Sequence, residues 1–243
     1  MNKRFSLLGY ALLAVLPATF AASNINNLGT LNQGEFHTLT EDLGAALSYK
    51  PMAPATPLGP TGFDVGFGLT STQMTRSSAL WSQINNGGGS VGNINLPRLQ
   101  VDKGLPFGID VGGFYAKDPT SNIALYGGEV RYALLSGGVT QPAVAVRGAF
   151  TRLSGVSALA LDTRSVDISV SKGFAMLTPY AGVGTVWTNS DASASGTGLK
   201  AESFRQNKLF VGLNANMGLA NLAFEYDKTG SAPSYSAKLG FRF

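Results

Sequence analysis

A chain of 243 residues with 13% charged side chains, 31 glycines and no cysteine is short of charge for a secreted soluble domain, where about 25% is usual. It offers neither a disulfide framework nor a thiolate metal site, and the formal net charge of +4 loses two when the basic start of the chain is set aside, leaving no argument for nucleic acid. Mean hydropathy is +0.11, yet beyond residue 22 no apolar run approaches the roughly 20 residues of a membrane helix; a closed β-barrel remains as the way to occupy a bilayer with every backbone group paired.

The chain opens "MNKRFSLLGYALLAVLPATFAAS", with Lys3 and Arg4 ahead of an apolar run from Leu7 to Leu16, then Pro17 and the small residues Ala21 and Ala22. This is the layout of a secretory signal peptide cut after Ala21 or Ala22, too short and wrongly flanked to span a membrane as a helix. Three parts follow: residues 1–22 as signal, 23–60 as an N-terminal segment, and 61–243 as a barrel.

Within the second part, Phe36, Leu39, Leu43 and Leu47 fall at helical spacings of three and four, with Glu35, His37, Thr40 and Glu41 off the stripe. The acids Glu35, Glu41 and Asp42 come early and Lys50 late, as the helix dipole favours. "KPMAPATPLGP" then breaks the helix and predicts an extended tether. The apolar stripe suits either the barrel lumen, as a plug, or the periplasmic membrane surface; the plug is the preferred expectation.

From Gly62 onward the sequence divides into about ten alternating segments, with 8 or 12 as neighbouring counts, and the fold class is all-β: an antiparallel transmembrane barrel preceded by an amphipathic helix. Outward positions are apolar, as in Phe63, Val65, Phe67 and Leu69, or Leu209, Val211 and Leu213. The opposite parity places Asp64, Arg98, Asp102, Asp110, Glu129, Arg131, Arg147, Asp167, Lys208, Glu225, Asp227, Lys238 and Arg242 toward the lumen. Hairpin pairing sets Asp110 diagonal to Arg98, Glu129 near Arg147, and Glu225 near Lys238.

The inward face is also read as glycine-rich (Gly66, Gly68, Gly108, Gly112, Gly128, Gly148, Gly182, Gly184, Gly212, Gly240), for space or for strand curvature. Balanced charge suggests an interior of ion pairs or a polar pore without strong ion selectivity.

With the mature N-terminus in the periplasm, odd strands run outward. "KGLP", "LSGGVTQ", "FAML" and "GLAN" become periplasmic turns, and the long polar loops near Trp81 to Ser90 and Asn189 to Lys200 lie outside. Outward aromatics then collect at two heights: Tyr115, Tyr126, Phe150, Trp187, Tyr226 and Tyr235 above, and Phe63, Phe107, Phe174, Phe241 and Phe243 below. A soluble β-sandwich alternates as well, but gives no reason for two belts.

The ending "YSAKLGFRF", with Tyr235, Leu239, Phe241 and Phe243 on one face, resembles the C-terminal signal of bacterial outer-membrane β-barrel proteins. That resemblance implies recognition by the barrel assembly machinery, placement in the outer membrane of a Gram-negative cell, and contact with its lipids and lipopolysaccharide. A fainter similarity is to barrels of the long-chain fatty-acid transporter type, whose N-terminal hatch Ser23 to Pro60 would match; that family has more strands, and no binding residue is carried over.

The single histidine, His37, sits before the barrel and would meet a strand or outer loop only if its helix entered the lumen. No metal-spaced His/Cys set, phosphate loop or nucleic-acid patch occurs, so no cofactor or metal is expected. Three readings of function stay open. Passive passage of a small solute, a hydrophobic one included, through a plugged lumen comes first, then a closed structural or adhesion barrel acting through its outer loops, then a lipid-modifying enzyme. Arg152, Arg164 and Arg205 near the outer rim are candidates for lipopolysaccharide phosphates.

Overall fold

The computed structural model describes residues 24–85, 89–192 and 196–243; the signal-peptide reading lies outside them. Ten strands, β1 (Phe63–Gln73), β2 (Asn93–Gly104), β3 (Ile109–Lys117), β4 (Ala124–Ser136), β5 (Ala143–Ser154), β6 (Ala160–Ser171), β7 (Leu177–Asp191), β8 (Glu202–Met217), β9 (Ala220–Thr229) and β10 (Ala232–Arg242), each pair antiparallel with their sequence neighbours. β1 also pairs with β10, closing the barrel. The C-terminal residue completes that seam: Phe63 N–H donates to Phe243 O at 2.8 Å and Phe243 N–H to Phe63 O at 3.0 Å, with the two rings 5.8 Å apart.

The exterior is apolar and uncovered, with Leu99, Phe224, Leu239 and Phe241 all more than half exposed. On β10 the outward apolar run from Tyr235 to Phe243 covers eight residue steps, about 26 Å along the strand at about 3.3 Å per residue. Tilted by roughly 40°, it spans about 20 Å, close to the apolar band of a membrane barrel. At one end Tyr115 faces Tyr126 across β3 and β4, and the rings of Tyr226 and Tyr235 lie 5.3 Å apart. At the other end are Phe63 and Phe243. Phe107 departs from its expected place in β3: it belongs to the turn Pro106–Gly108, in a left-handed conformation (φ 65°), and β3 starts at Ile109.

Four connections, at 105–108, 137–142, 172–176 and 218–219, mark a turn end; the stretches at 74–92, 118–123, 155–159 and 192–201, with the tight turn at Gly230, mark a loop end. The described residues of the first stretch, 74–85 and 89–92, are not the solvated loop its polar composition suggests. They fold inward around the short helix α2 (Trp81–Ile84) and bury Met74, Trp81, Ile84 and Val91.

Helix α1 (Gln33–Leu47) is started by a reciprocal cap in which Glu35 N–H donates to Asn32 Oδ1 at 3.0 Å and Asn32 N–H to Glu35 Oε2 at 2.9 Å. It packs against β1, β5, β6, β7 and β10, strands spread around the wall, so it lies in the interior. The stripe Phe36, Leu39, Leu43 and Leu47 is fully buried, and so are Thr40, Asp42, Gly44 and Ala45 on other faces. Gly44 is where the helix touches β7: a Cβ there would come 2.5 Å from Thr188 Oγ1.

Residues 24–60 cross the whole lumen. At the loop end Asn26 and Asn27 N–H donate to Ile84 O at 3.1 Å, and Ile25 N–H to Asn122 Oδ1 at 3.0 Å. At the turn end Leu58 N–H donates to Asp110 Oδ1 at 3.0 Å. The odd strands run from turn end to loop end as expected, but the described chain begins at the loop end, not at the turn end that a periplasmic N-terminus requires. A helix of 15 residues at about 1.5 Å per residue covers about 22 Å of that path, and the extended tether covers the rest.

Candidate functional site

The lumen has two halves. Toward the loop end Ile25, Leu28, Leu31 and the α1 stripe pack against Trp81, Ile84, Ile94, Leu96, Phe114, Leu125, Leu153 and Leu161 in one apolar cluster. The strand residues among them share parity with the inward charges, so the inward faces of β2 to β6 change from polar to apolar along their length, while Thr70 and Thr72 of β1, Thr188 and Ser190 of β7 and Ser234 of β10 keep theirs polar. The inward charges alone do not mark this change. The signal was Ile94 and Leu96 in phase with Arg98, and Phe114 in phase with Asp110.

Toward the turn end the thirteen expected lumen residues are buried, Arg242 only partly. Arg147 Nε meets Glu129 at 2.6 Å, as expected, and Arg147 Nη1 stands 3.8 Å from Asp167. Two other pairings differ. Asp110 binds Arg131 (2.6 Å), which stands directly opposite in the register, and not Arg98. Lys238 binds Asp64 (2.7 Å) across the closing seam, leaving Glu225 for other partners, and Arg242 approaches the same carboxylate at 3.5 Å. Arg98 lies over the Phe114 ring, 4.1 Å from its centroid, and Asp102 accepts from Gln100 Nε2 at 2.8 Å.

Much of this charge serves the N-terminal segment. Lys50 Nζ donates to Asp227 Oδ1 (2.8 Å), Ser234 Oγ (3.0 Å) and Ala45 O at the end of α1 (3.0 Å). Met52 N–H donates to Glu225 Oε2 (2.8 Å), which also accepts from Tyr180 Oη (3.0 Å). Arg98 donates to Lys50 O (3.2 Å), Arg131 to Pro54 O (2.7 Å), Arg242 to Thr56 O (3.3 Å), and Lys208 to Tyr49 O. A proline-rich segment forms neither helix nor sheet, so its buried carbonyls need donors from elsewhere; the wall's cations supply them.

The glycines seat these partners. Gly182 stands opposite Phe210 and Gly212 opposite Tyr180 on β7 and β8, and a Cβ at either glycine would fall 2.2 Å from the facing ring. At Gly68 it would meet Met52 Cε at 3.0 Å. Space for rings and tether is therefore the reason at these positions. Gly128 and Gly148 carry outward parity, and Gly108 lies in a turn.

His37 reaches the wall at the loop end. Its Nδ1 stands 3.1 Å from Glu202 Oε2 of β8, its Nε2 3.6 Å from Glu41 Oε1, and its ring packs edge-on against Phe204. Among the described residues no Ser or Thr hydroxyl bonds to either ring nitrogen.

A closed, even-stranded antiparallel wall, an apolar exterior edged by two aromatic girdles, and a polar and filled interior occur together in one class of fold. The chain has the outer-membrane β-barrel fold. It matches no family model and no curated protein. Among solved structures it is similar to the N-terminal β-barrel domain of Pseudomonas aeruginosa OprF (12% identity, 76% of this chain and 99% of that one, TM-score 0.37). It is also similar to the β-domain of the Bordetella autotransporter BrkA (11%, 76% and 100%, TM-score 0.45) and to the outer membrane protein OprG of P. aeruginosa (10%, 79% and 99%, TM-score 0.35). At these identities the likeness of this β-barrel to them is one of fold.

Proposed function

We propose that the protein resides in the outer membrane of a Gram-negative cell as a barrel kept shut by its own N-terminal segment, with the loop end as its working surface. One observation carries this reading: residues 24–60 fill the lumen from end to end, with an apolar core above and hydrogen bonds from the wall to the tether below. Each such bond contributes about 0.5–1.5 kcal/mol net, so several broken together form a large barrier to opening. The outer surface so built combines residues 24–31, the α2 residues Trp81–Ile84 and residues 196–201 before β8, where Lys200 N–H donates to Gln33 Oε1, and it suits adhesion or structural contact.

Gated passage of a small solute is the second reading. It is favoured by the tether, which is held by side-chain bonds alone and has no strand or helix to unravel. Single-channel conductance in planar bilayers separates the two. The full chain is expected to be silent, and a variant lacking residues 24–60 to conduct in steady steps; steady conductance by the full chain would overturn the shut barrel. The third reading, a lipid-modifying enzyme, would run on His37 and Glu202 at the loop end.

A further inference from the structure

The outward face of β5–β8 carries three cations in two adjacent register rows, where the apolar wall gives way to polar residues. Phe150, Arg164, Trp187 and Arg205 stand side by side in register across the four strands. One rung higher, Arg152 lies opposite Tyr126 on one side and Asp162 on the other. All three arginines are exposed, and among the described residues none joins an ion pair. With a strand spacing of about 4.8 Å, Arg164 and Arg205 stand about 10 Å apart with Trp187 between them, and Arg152 is a diagonal neighbour of Arg164 at about 7–8 Å.

Directly below Arg164 the outward residues are Val166, Ile168 and Val170; below Arg205, past Asn207, they are Leu209, Val211 and Leu213. A concavity of about 330 Å³ opens on this wall between Tyr126, Phe150, Arg152, Asp162 and Arg164. Asp162, the acid nearest the arginines, accepts from Asn189 Nδ2 at 3.1 Å. On the opposite side of the barrel the register row through Ser71 of β1 carries Asn95 of β2 and Tyr235 of β10, and no arginine.

We propose that this face binds a phosphorylated glycolipid of the outer leaflet, with Arg152, Arg164 and Arg205 on its phosphates, Trp187 and Tyr126 against its sugars, and its acyl chains along the valine and leucine wall. Guanidinium groups pair with phosphate in bidentate fashion and are less tightly hydrated than ammonium. An interfacial aromatic between two of them gives a sugar ring a flat surface at the headgroup level. A soluble anion would gain nothing from the apolar wall, whereas a lipid gains from both parts. The inference rests on the outer-membrane placement proposed above, with the loop end facing out.

The test uses the full chain folded in phosphatidylcholine nanodiscs with bisphosphorylated lipid A added, and counts bound lipid A by native mass spectrometry. Folding of each variant is checked by the heat-dependent gel shift of a closed barrel. Arg152→Gln/Arg164→Gln/Arg205→Gln is expected to lower lipid A retention at least tenfold, while Lys103→Gln/Lys172→Gln, at the turn end, leaves it unchanged. Dephosphorylated lipid A should bind like the triple variant, and millimolar inorganic phosphate should not compete. Equal retention by the triple variant, or an equal fall in the lysine variant, overturns the site. Conductance of the full chain is read separately, so failure of the shut-barrel reading leaves the lipid count untouched and the two are told apart.

Discussion

Replacing Asp227 by alanine should cost about 3–5 kcal/mol of stability, because it strands the Lys50 ammonium in the lumen without its counterion. Both side chains are almost wholly buried, and the Nζ to Oδ1 distance is 2.8 Å. Ser234 Oγ and Ala45 O would remain as acceptors, but neither carries a charge. The informative variant is the double one. Asp227→Ala with Lys50→Met removes both charges at once, and buried pairs exchanged for apolar groups are often neutral. Guanidinium unfolding in micelles should therefore show the double variant more stable than Asp227→Ala alone, a coupling of about 2 kcal/mol or more. If the two single losses simply add, Lys50 does not meet Asp227 inside the barrel.

Trp81→Ala is expected to lose a similar amount, about 3–5 kcal/mol, through the cavity it leaves. Trp81 has no exposed surface and lies in the cluster formed by α1, residues 24–31 and the inner strand faces. Its indole nitrogen is buried without a hydrogen-bond partner, so the residue acts there by volume. Trp81→Phe should accordingly cost about 1.5 kcal/mol or less. A harmless Trp81→Ala would mean that the 74–92 stretch is the solvated loop its composition suggests.

The contrast between these two residues shows what the sequence discloses. Asp227 was assigned to the lumen by parity alone, because a period of two admits no other placement once Tyr226 and Phe224 face lipid. The ten strands and both girdles follow from the same rule. Trp81 was missed because its stretch is polar, glycine-rich and aperiodic; its burial depends on a helix that comes from more than thirty residues earlier and fills the barrel.

That helix was legible as an amphipathic stripe, but a stripe cannot distinguish a membrane surface from a lumen. The wall meets α1 from β1, β5, β6, β7 and β10, and toward its C-terminal end the faces off the stripe are filled by small residues, Gly44 and Ala45, that hydropathy hardly registers. Asn32 and Glu35 spell the capping box that marks the helix start. The ion pairs were least legible: Asp64 with Lys238 exists only because the barrel closes, and Glu225 has a tether amide as its partner, a contact between residues 173 positions apart. Strand parity carries no information about either.

The measurement that tests the account most directly joins α1 to the wall. In Gly44→Cys/Thr188→Cys the two β-carbons would stand about 3.1 Å apart, a few tenths short of the usual span of about 3.5–4.5 Å across a disulfide. The chain has no other cysteine to compete. In outer membranes from cells carrying this variant, mild oxidation should yield a peptide pair linking residue 44 to residue 188, found by mass spectrometry without reduction. A folded barrel in which both thiols stay free and separately react with a maleimide would place the helix outside the lumen and contradict the account.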